Sequence, residues 1–259
     1  MYLLQLFLLT YVLGFSMSIN YCSADETHAL ILARGGSRGI SNKNLREVNG
    51  ISLLGRTLTV LNESRLFEYI WVSTDSELIA NVARKFGALV HMRDPLSAQD
   101  NTSSLESVNE FLQAHETVNR FALFQCTSIF LKDSYIRQAL RRFETKDCVF
   151  AATRSYKLRW MFDADGRIVP LNFNPKRRPR RQDWTGELIE TGMFYFATRS
   201  LVEYEHRFQN DKCDVVEIDA ADAMEIDTCT DLLLAECLVQ SKLEEANGNK
   251  CANMIENNN

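Results

Sequence analysis

Residues 31–44, ILARGGSRGISNKN, form an apolar run that ends in glycines and cations. An apolar run entering a glycine-rich loop is how a parallel strand delivers an anion-binding turn, because glycine lets backbone amides approach a phosphate with no Cβ in the way. Two standard forms of that turn are excluded. A Walker A loop places Lys-Ser/Thr directly after its last glycine, whereas Gly39 is followed by Ile40 and Ser41. Gly35, Gly36 and Gly39 do not have the spacing of a dinucleotide fingerprint either. What remains is a loop with the cations Arg34, Arg38 and Lys43, either a phosphate cradle of another kind or a tight strand-to-helix turn with solvated charges.

Outward from this loop, short β-branched runs alternate with longer amphipathic ones, the pattern of an α/β sheet covered by helices. Strands are predicted over 29–33, 69–73, 89–92, 121–124, 148–153, 193–197 and 215–218. Thr74 with Glu77, and Ser103 with Glu106, fit capping boxes, and Gly87 stops the first of the two helices they open. Leu78, Ile79, Val82, Ala83 and Phe86 recur at helical spacing and are predicted to face the sheet. The rhythm breaks between Ser155 and Gly186, where prolines, aromatics and the run KRRPRR replace apolar periodicity. This predicts one domain, residues 25–245, with an inserted arm over about 155–190, and a disordered polar tail, 246–259.

Composition sets limits on function. With 259 residues, 46% hydrophobic and 24% charged, the chain is long enough to bury a core. Its net charge of −5 argues against a surface built for nucleic acid, although KRRPRR is a local basic patch, an import signal, a solvated face or an anion-binding arm. Residues 1–24 carry no charged side chain and are almost continuously apolar over 2–17, with Cys22 and Ala24 as small residues before Asp25. They are expected to be a signal peptide or N-terminal anchor, the chain's one membrane contact. The cysteines show no C-x-x-C pair and no zinc spacing; Cys126 and Cys148, within apolar runs, are expected as buried free thiols, with one surface bridge left open for an oxidising lumen.

Ligands of open parallel sheets bind beyond the carboxyl ends of the strands. The residues expected there are polar: Arg34 and the glycine loop, Thr74 and Asp75, Arg93, then Gln125 to Ser128, and EIDTCTD. Cations at some ends and acids at another suit a polyphosphate neutralised partly by protein and partly by a divalent ion. Glu225 and Asp227 alternate with Ile226, which puts both carboxylates on one face of an extended segment as hard metal donors, or as two solvated acids before a helix capped at Thr230 or Asp231.

The blocks ILARGGSRGISNKNLREVNGISLLGRTL, WVSTDSELIANVARKFGA, QDNTSSLESV, FQCTS, NPKRRPRRQDWTGELIETGMFYFA and EIDTCTDLLLAE resemble, in order, those of the N-acylneuraminate cytidylyltransferases. The likeness covers about residues 29–236, is stronger to animal than to bacterial members, and with the leader resembles the insect form. It implies a Rossmann-like, mostly parallel sheet of the nucleotide-diphospho-sugar transferase type with an inserted dimerisation arm. It further implies that CTP and a sialic acid give CMP-sialic acid and pyrophosphate, the anomeric hydroxyl attacking the α-phosphorus, with Mg2+ or Mn2+ as cofactor. The resemblance assigns Arg34 and Lys43 to the triphosphate and its leaving pyrophosphate, Asn44 to the nucleotide, Arg93, Thr102 and Ser104 to the cytidine, and Gln125 to the substrate. Arg180, Arg181 and Gln182 fall on the arm, which in this family helps form a homodimer and brings cations to the sugar carboxylate or phosphate.

Two positions depart from the family pattern. Glu225 replaces the first Asp of an Asp-x-Asp metal pair with Asp227, and Thr191-Gly192 stands where Asn-Gly is common. They bear on metal preference and sugar fit rather than on reaction class. The alternatives are a cytidylyltransferase for another 3-deoxy-ulosonic acid, or a catalytically inactive secretory-pathway binding protein of the same fold. The leader points to the secretory pathway and the Golgi lumen, with the nucleus as the alternative. In the former, the sequons Asn62-Glu63-Ser64 and Asn101-Thr102-Ser103 are glycan acceptors to test.

Overall fold

The structure, a computed structural model, describes residues 26–36, 39–94, 97, 99 and 102–246. The expectations for the leader, for Arg38, for Asn101 and for the tail beyond Ala246 lie outside the described residues. The strands are β1 (Thr27–Leu32), β2 (Glu47–Val48), β3 (Ile51–Ser52), β4 (Ile70–Thr74), β5 (Leu89–Met92), β6 (Arg120–Phe124), β7 (Cys148–Ser155), β8 (Trp160–Phe162), β9 (Ile168–Pro170), β10 (Glu187–Thr198) and β11 (Asp214–Ile218). Seven of them form one sheet in the order β11-β7-β10-β6-β1-β4-β5, and only β10 runs antiparallel to its neighbours. These are the seven strands predicted from the sequence. The pairs β2–β3 and β8–β9 are separate hairpins, the second of them in the arm, where no strand was predicted.

Both faces of the sheet are buried, as a parallel sheet requires. Successive residues point to opposite faces: Ala29, Ile31, Ala122 and Phe124 enter one core layer, Leu30, Phe121 and Leu123 the other. Helices α1 (Leu53–Ser64), α2 (Glu77–Lys85), α4 (Asp133–Phe143) and α6 (Cys229–Ala246) cover the first layer. Helices α3 (Ser104–Ala114) and α5 (Arg199–Glu203) cover the second.

Helix ends show where local signals hold. Ser103 and Glu106 form the capping box, with Glu106 N donating to Ser103 Oγ at 3.1 Å and Ser103 N to Glu106 Oε2 at 2.7 Å. The box expected from Thr74 and Glu77 does not form. Thr74 remains in the sheet, paired with Met92, and its hydroxyl accepts from Ser76 N at 3.1 Å, so the helix starts after Ser76 instead. Gly87 does follow the end of α2, with φ 77°. Leu78 is 65% exposed, contrary to the predicted stripe, because Ala80 takes the inward place beside Ile79 and Ala83. The last helix is capped at Thr228 rather than at Thr230 or Asp231: Asp231 N donates to Thr228 Oγ1 at 3.2 Å and Thr228 N to Asp231 Oδ2 at 2.7 Å.

Cys126 is a buried free thiol, as expected, its pKa pushed up to about 12 by burial. Cys148 is not free: it is bonded to Cys213, where the short link into β11 brings the two chains side by side. The bond staples an edge strand to the sheet across a separation of 65 residues, for which chain entropy alone gives about 4 kcal/mol. Reduction, or Cys148→Ser with Cys213→Ser, is therefore expected to lower the melting temperature by roughly 5–15 °C. Identical melting curves with and without reductant would show that the bond contributes nothing.

Candidate active site

From β1 the chain adds β4 and β5 on one side, then returns to place β6 on the other. Where the order of an open sheet reverses in this way, a crevice opens beyond the carboxyl ends of the two strands. The loop after β1 and the Gln125–Ser128 turn after β6 both end in that crevice.

The loop is held by its own polar groups. Asn44 Nδ2 donates to Arg34 O at 3.1 Å, and Arg34 Nη1 donates to Gln99 O at 3.3 Å. The same Gln99 carbonyl accepts from Thr102 N at 3.1 Å, so Arg34 and Thr102 meet at one peptide while Asn44 holds the Arg34 backbone. Gly35 N donates to Asp75 Oδ1 at 2.7 Å, so this amide is committed to the protein rather than offered to a phosphate. Gly36 is open: a Cβ there would have nothing within 4 Å.

The acidic side of the crevice is the segment before α6. Ile226 is fully buried and its amide donates to Thr127 O at 3.1 Å, which pins the segment to the end of β6. Glu225 and Asp227 are left on the side of the loop. Asp227 Oδ1 pairs with Lys43 Nζ at 3.0 Å, and Ser128 Oγ lies 3.5 Å from Glu225 Oε1. Two glycines make the fit possible. A Cβ on Gly39 would stand 2.7 Å from Asp227 O, and one on Gly192, whose φ is 67°, would overlap Glu225 Oε1 and lie 3.4 Å from Gln125 Nε2. Burial first, then the charge of Asp227, holds the Glu225 carboxyl above its ordinary range, against the bond from Ser128 and the charge of Lys43. Oxygen-only donors, one of them disfavoured as an anion, fit a hard divalent cation that would leave most of its shell to water and phosphate. No group of three or more His, Cys, Asp or Glu suited to a metal occurs among the described residues.

Arg93 is where the sequence places it, at the end of β5, but it faces inward. Its guanidinium is buried and donates to Ser73 Oγ at 3.2 Å and Ser73 O at 2.9 Å, with Ser107 Oγ at 3.5 Å. Desolvation lowers its pKa, opposed by the charges of Asp75 and Glu110. It thus ties β4, β5 and α3 together beneath Thr102 and Ser104, which stand at the start of α3. The arm leaves β7 and re-enters at β10 on the same edge of the sheet, where Ser155 pairs with Glu187. Arg180 is bidentate to Asp183, at 2.7 and 3.1 Å, and the Arg181 guanidinium lies 4.8 Å from the Tyr156 ring, with exposed Gln182 between them. Among the described residues, no hydrogen bond or ion pair joins these three side chains to the loop after β1 or to Glu225 and Asp227. The sequence placed Ser128 among the polar residues beyond β6 and marked Thr191-Gly192 as a departure from the family pattern, but it carried no sign of the bond from Ser128 to Glu225 or of the close approach of Gly192 to Glu225.

A family model described as cytidylyltransferase matches residues 28–257. N-acylneuraminate cytidylyltransferase A of Danio rerio is 40% identical over 213 residues, covering 80% of this chain and 49% of the fish protein. The N-acylneuraminate cytidylyltransferase of Oncorhynchus mykiss is 40% identical over 188 residues, 70% of this chain and 44% of that one. The chain spans about half the length of these curated relatives. Among solved structures, a CMP:2-keto-3-deoxy-manno-octonic acid synthetase complexed with CTP matches 84% of this chain and 99% of its own with a TM-score of 0.63. At 15% identity that likeness shows the shared Rossmann-like fold.

Because ionised Glu225 is unfavourable in the metal-free protein, Glu225→Gln should raise the melting temperature without divalent ions by roughly 2 °C at neutral pH. The sign follows from a folded pKa raised above the unfolded value. Wild type and variant coincide at acid pH, where both forms are neutral, and diverge as pH rises through the Glu225 pKa. A variant that melts lower than wild type at neutral pH and without metal would show that Glu225 is not held at this cost.

Proposed function

We propose that this chain, which belongs to the cytidylyltransferase family, transfers CMP from CTP to the anomeric hydroxyl of a sialic acid, releasing pyrophosphate. The observation that carries this reading is the meeting, in one crevice, of the Arg34–Asn44 loop with Lys43, the Glu225–Asp227 pair and Gln125. The choice of an N-acylneuraminate as acceptor is supported by the identity to the fish enzymes.

Catalysis of this kind is positioning and charge stabilisation. Arg34 and Lys43 neutralise the triphosphate and the charge that develops on the leaving pyrophosphate. Glu225 and Asp227 would hold Mg2+ or Mn2+, which supplies further positive charge to the CTP phosphates. Asn44 keeps the loop closed on the nucleotide through its bond to Arg34 O. Thr102 and Ser104 offer hydroxyls to the cytosine from the start of α3, while buried Arg93 sets the floor of that pocket. The Gln125 amide, beside Gly192, faces the sugar.

The arm supports a homodimer. Trp160, Phe162 and Ile168 expose an apolar face on the β8–β9 hairpin. Arg180, Arg181 and Gln182 make no hydrogen bond or ion pair to the crevice of their own chain among the described residues, which favours the crevice of a second copy as the site they serve. The pairing of Arg180 with Asp183 and the stacking of Arg181 on Tyr156 disfavour a nucleic-acid role for the basic run. For location, the Cys148–Cys213 bond supports an oxidising compartment and therefore the Golgi lumen over the nucleus. No helix among the described residues is long and apolar enough to cross a membrane, so membrane contact rests with the N-terminal segment.

Incubation with CTP, Mg2+ and a panel of ulosonic acids tests the reading. CMP-sugar should form with N-acylneuraminates, need the divalent ion, and fall by about 10²-fold in Arg34→Ala. Turnover confined to another 3-deoxy-ulosonic acid would move the acceptor; no turnover at all would leave only an inactive binding protein. Normal turnover of soluble Arg34→Ala would remove Arg34 from the site. Location has its own test at Asn62, which is exposed in the last turn of α1 with Nδ2 donating to Phe86 O at 2.8 Å. In the secretory pathway a glycosidase-sensitive fraction should carry a glycan there, added before α1 packs; nuclear staining with no glycan would favour the import signal.

A further inference from the structure

Between the end of β11 and the start of α6, residues 219–228 contain neither helix nor strand, yet they carry Glu225 and Asp227. A segment without a ladder needs other anchors to hold two carboxylates in register. Its far anchor is the Ile226 amide on Thr127 O. We infer that Asp222 is the near anchor and acts as a positioning residue for the Glu225–Asp227 metal pair, an inference that rests on the function proposed above.

Asp222 is 1% exposed, the one aspartate so deeply buried among the described residues. Its Oδ2 accepts from Tyr135 OH at 2.7 Å and pairs with Lys132 Nζ, while Oδ1 accepts from Lys242 Nζ at 2.9 Å. Lys132 and Tyr135 belong to the start of α4, and Lys242 to α6, where its ammonium lies 3.7 Å from the Phe130 ring. The Tyr135 oxygen also accepts from Asp219 N at 3.2 Å, so one hydroxyl binds the segment at two points. Burial alone would push the Asp222 carboxyl up, yet the bonds from Lys132, Lys242 and Tyr135 outweigh it and keep the group ionised below its ordinary range. A buried carboxylate with two cations is a poor way to add stability, since apolar packing serves as well. What it adds is a fixed, directional link between two helices and the loop, and only Ala223 and Met224 separate it from Glu225. The supporting partners of metal-binding carboxylates typically change metal affinity 10- to 100-fold when lost.

The test uses the full chain and two variants, Asp222→Asn and Tyr135→Phe, the second keeping the ring and its packing so that it folds even where the first does not. Mg2+ titrations of turnover at fixed CTP should shift to about 10-fold higher metal in Asp222→Asn, and by about 5-fold in Tyr135→Phe, with metal-free CTP binding unchanged. Hydrogen exchange of metal-free protein should be faster in residues 219–228 and unchanged within α4 and α6. Wild-type metal titration and wild-type exchange in a soluble variant would overturn the inference. Exchange that rises across α4 and α6 as much as in the segment would overturn it too, in favour of a general structural anchor. Were the wild type to make no CMP-sugar, the proposed function would fall, and the exchange data alone would then decide: acceleration confined to 219–228 upholds the positioning role and no acceleration ends it.

Discussion

The bond from Ile226 N to Thr127 O fastens the acidic segment to the end of β6, and the rest of the crevice is arranged around it. Once Ile226 is sunk into the core, its neighbours have one direction left, toward the loop after β1. That approach is close enough for Gly39 to lie against Asp227 O and Gly192 against Glu225, positions where a side chain would collide. Four chain segments far apart in sequence therefore meet at the sheet's reversal point. An added methyl at Gly39 would meet backbone, the Asp227 carbonyl oxygen, at 2.7 Å; at Gly192 it would meet the end of the Glu225 side chain, on a backbone held at φ 67°.

Charge in the crevice is balanced within the protein but weakly committed. The Lys43–Asp227 pair has side chains 21% and 69% exposed, and an ion pair so placed contributes little to stability. It is therefore free to exchange partners, as the proposed binding of a triphosphate and a cation would require. Glu225, half-buried beside Asp227, is the group for which a cation changes most, because its ionised form is the disfavoured one. By contrast, Arg93 is locked by Ser73 and Ser107 and is part of the scaffold. The same fold thus buries one of these cations, Arg93, and leaves another, Lys43, in a partly exposed ion pair.

Much of this was legible in the sequence because the determining forces were local. The strands β1 and β6 and the Ser103–Glu106 cap depend on residues within a few positions of each other, and they stand as predicted. The failures came where distant chain segments decided the outcome. Thr74 has the residue type and spacing of a cap, but its ladder to β5 keeps it in the sheet. Cys148 looks like a buried thiol until Cys213, 65 residues away, is placed beside it. The inward turn of Arg93, the commitment of the Gly35 amide to Asp75 and the clamp on Asp222 are likewise contacts between segments, invisible to periodicity. The identity of the sugar was never a matter of spacing; it came from resemblance to a family, and the arm's service to a partner's crevice remains the proposal that follows from its geometry.

The central claim is that Glu225 and Asp227 present one cation site beside the CTP loop. Titration of Mn2+ followed by electron paramagnetic resonance, with and without CTP, addresses it without any turnover. The account predicts one Mn2+ bound per chain in the presence of CTP, lost in Asp227→Asn and altered in affinity by Glu225→Asp, which shortens the side chain by one methylene. Identical Mn2+ binding in wild type and both variants would contradict it and assign the cation, if one is used, to other ligands.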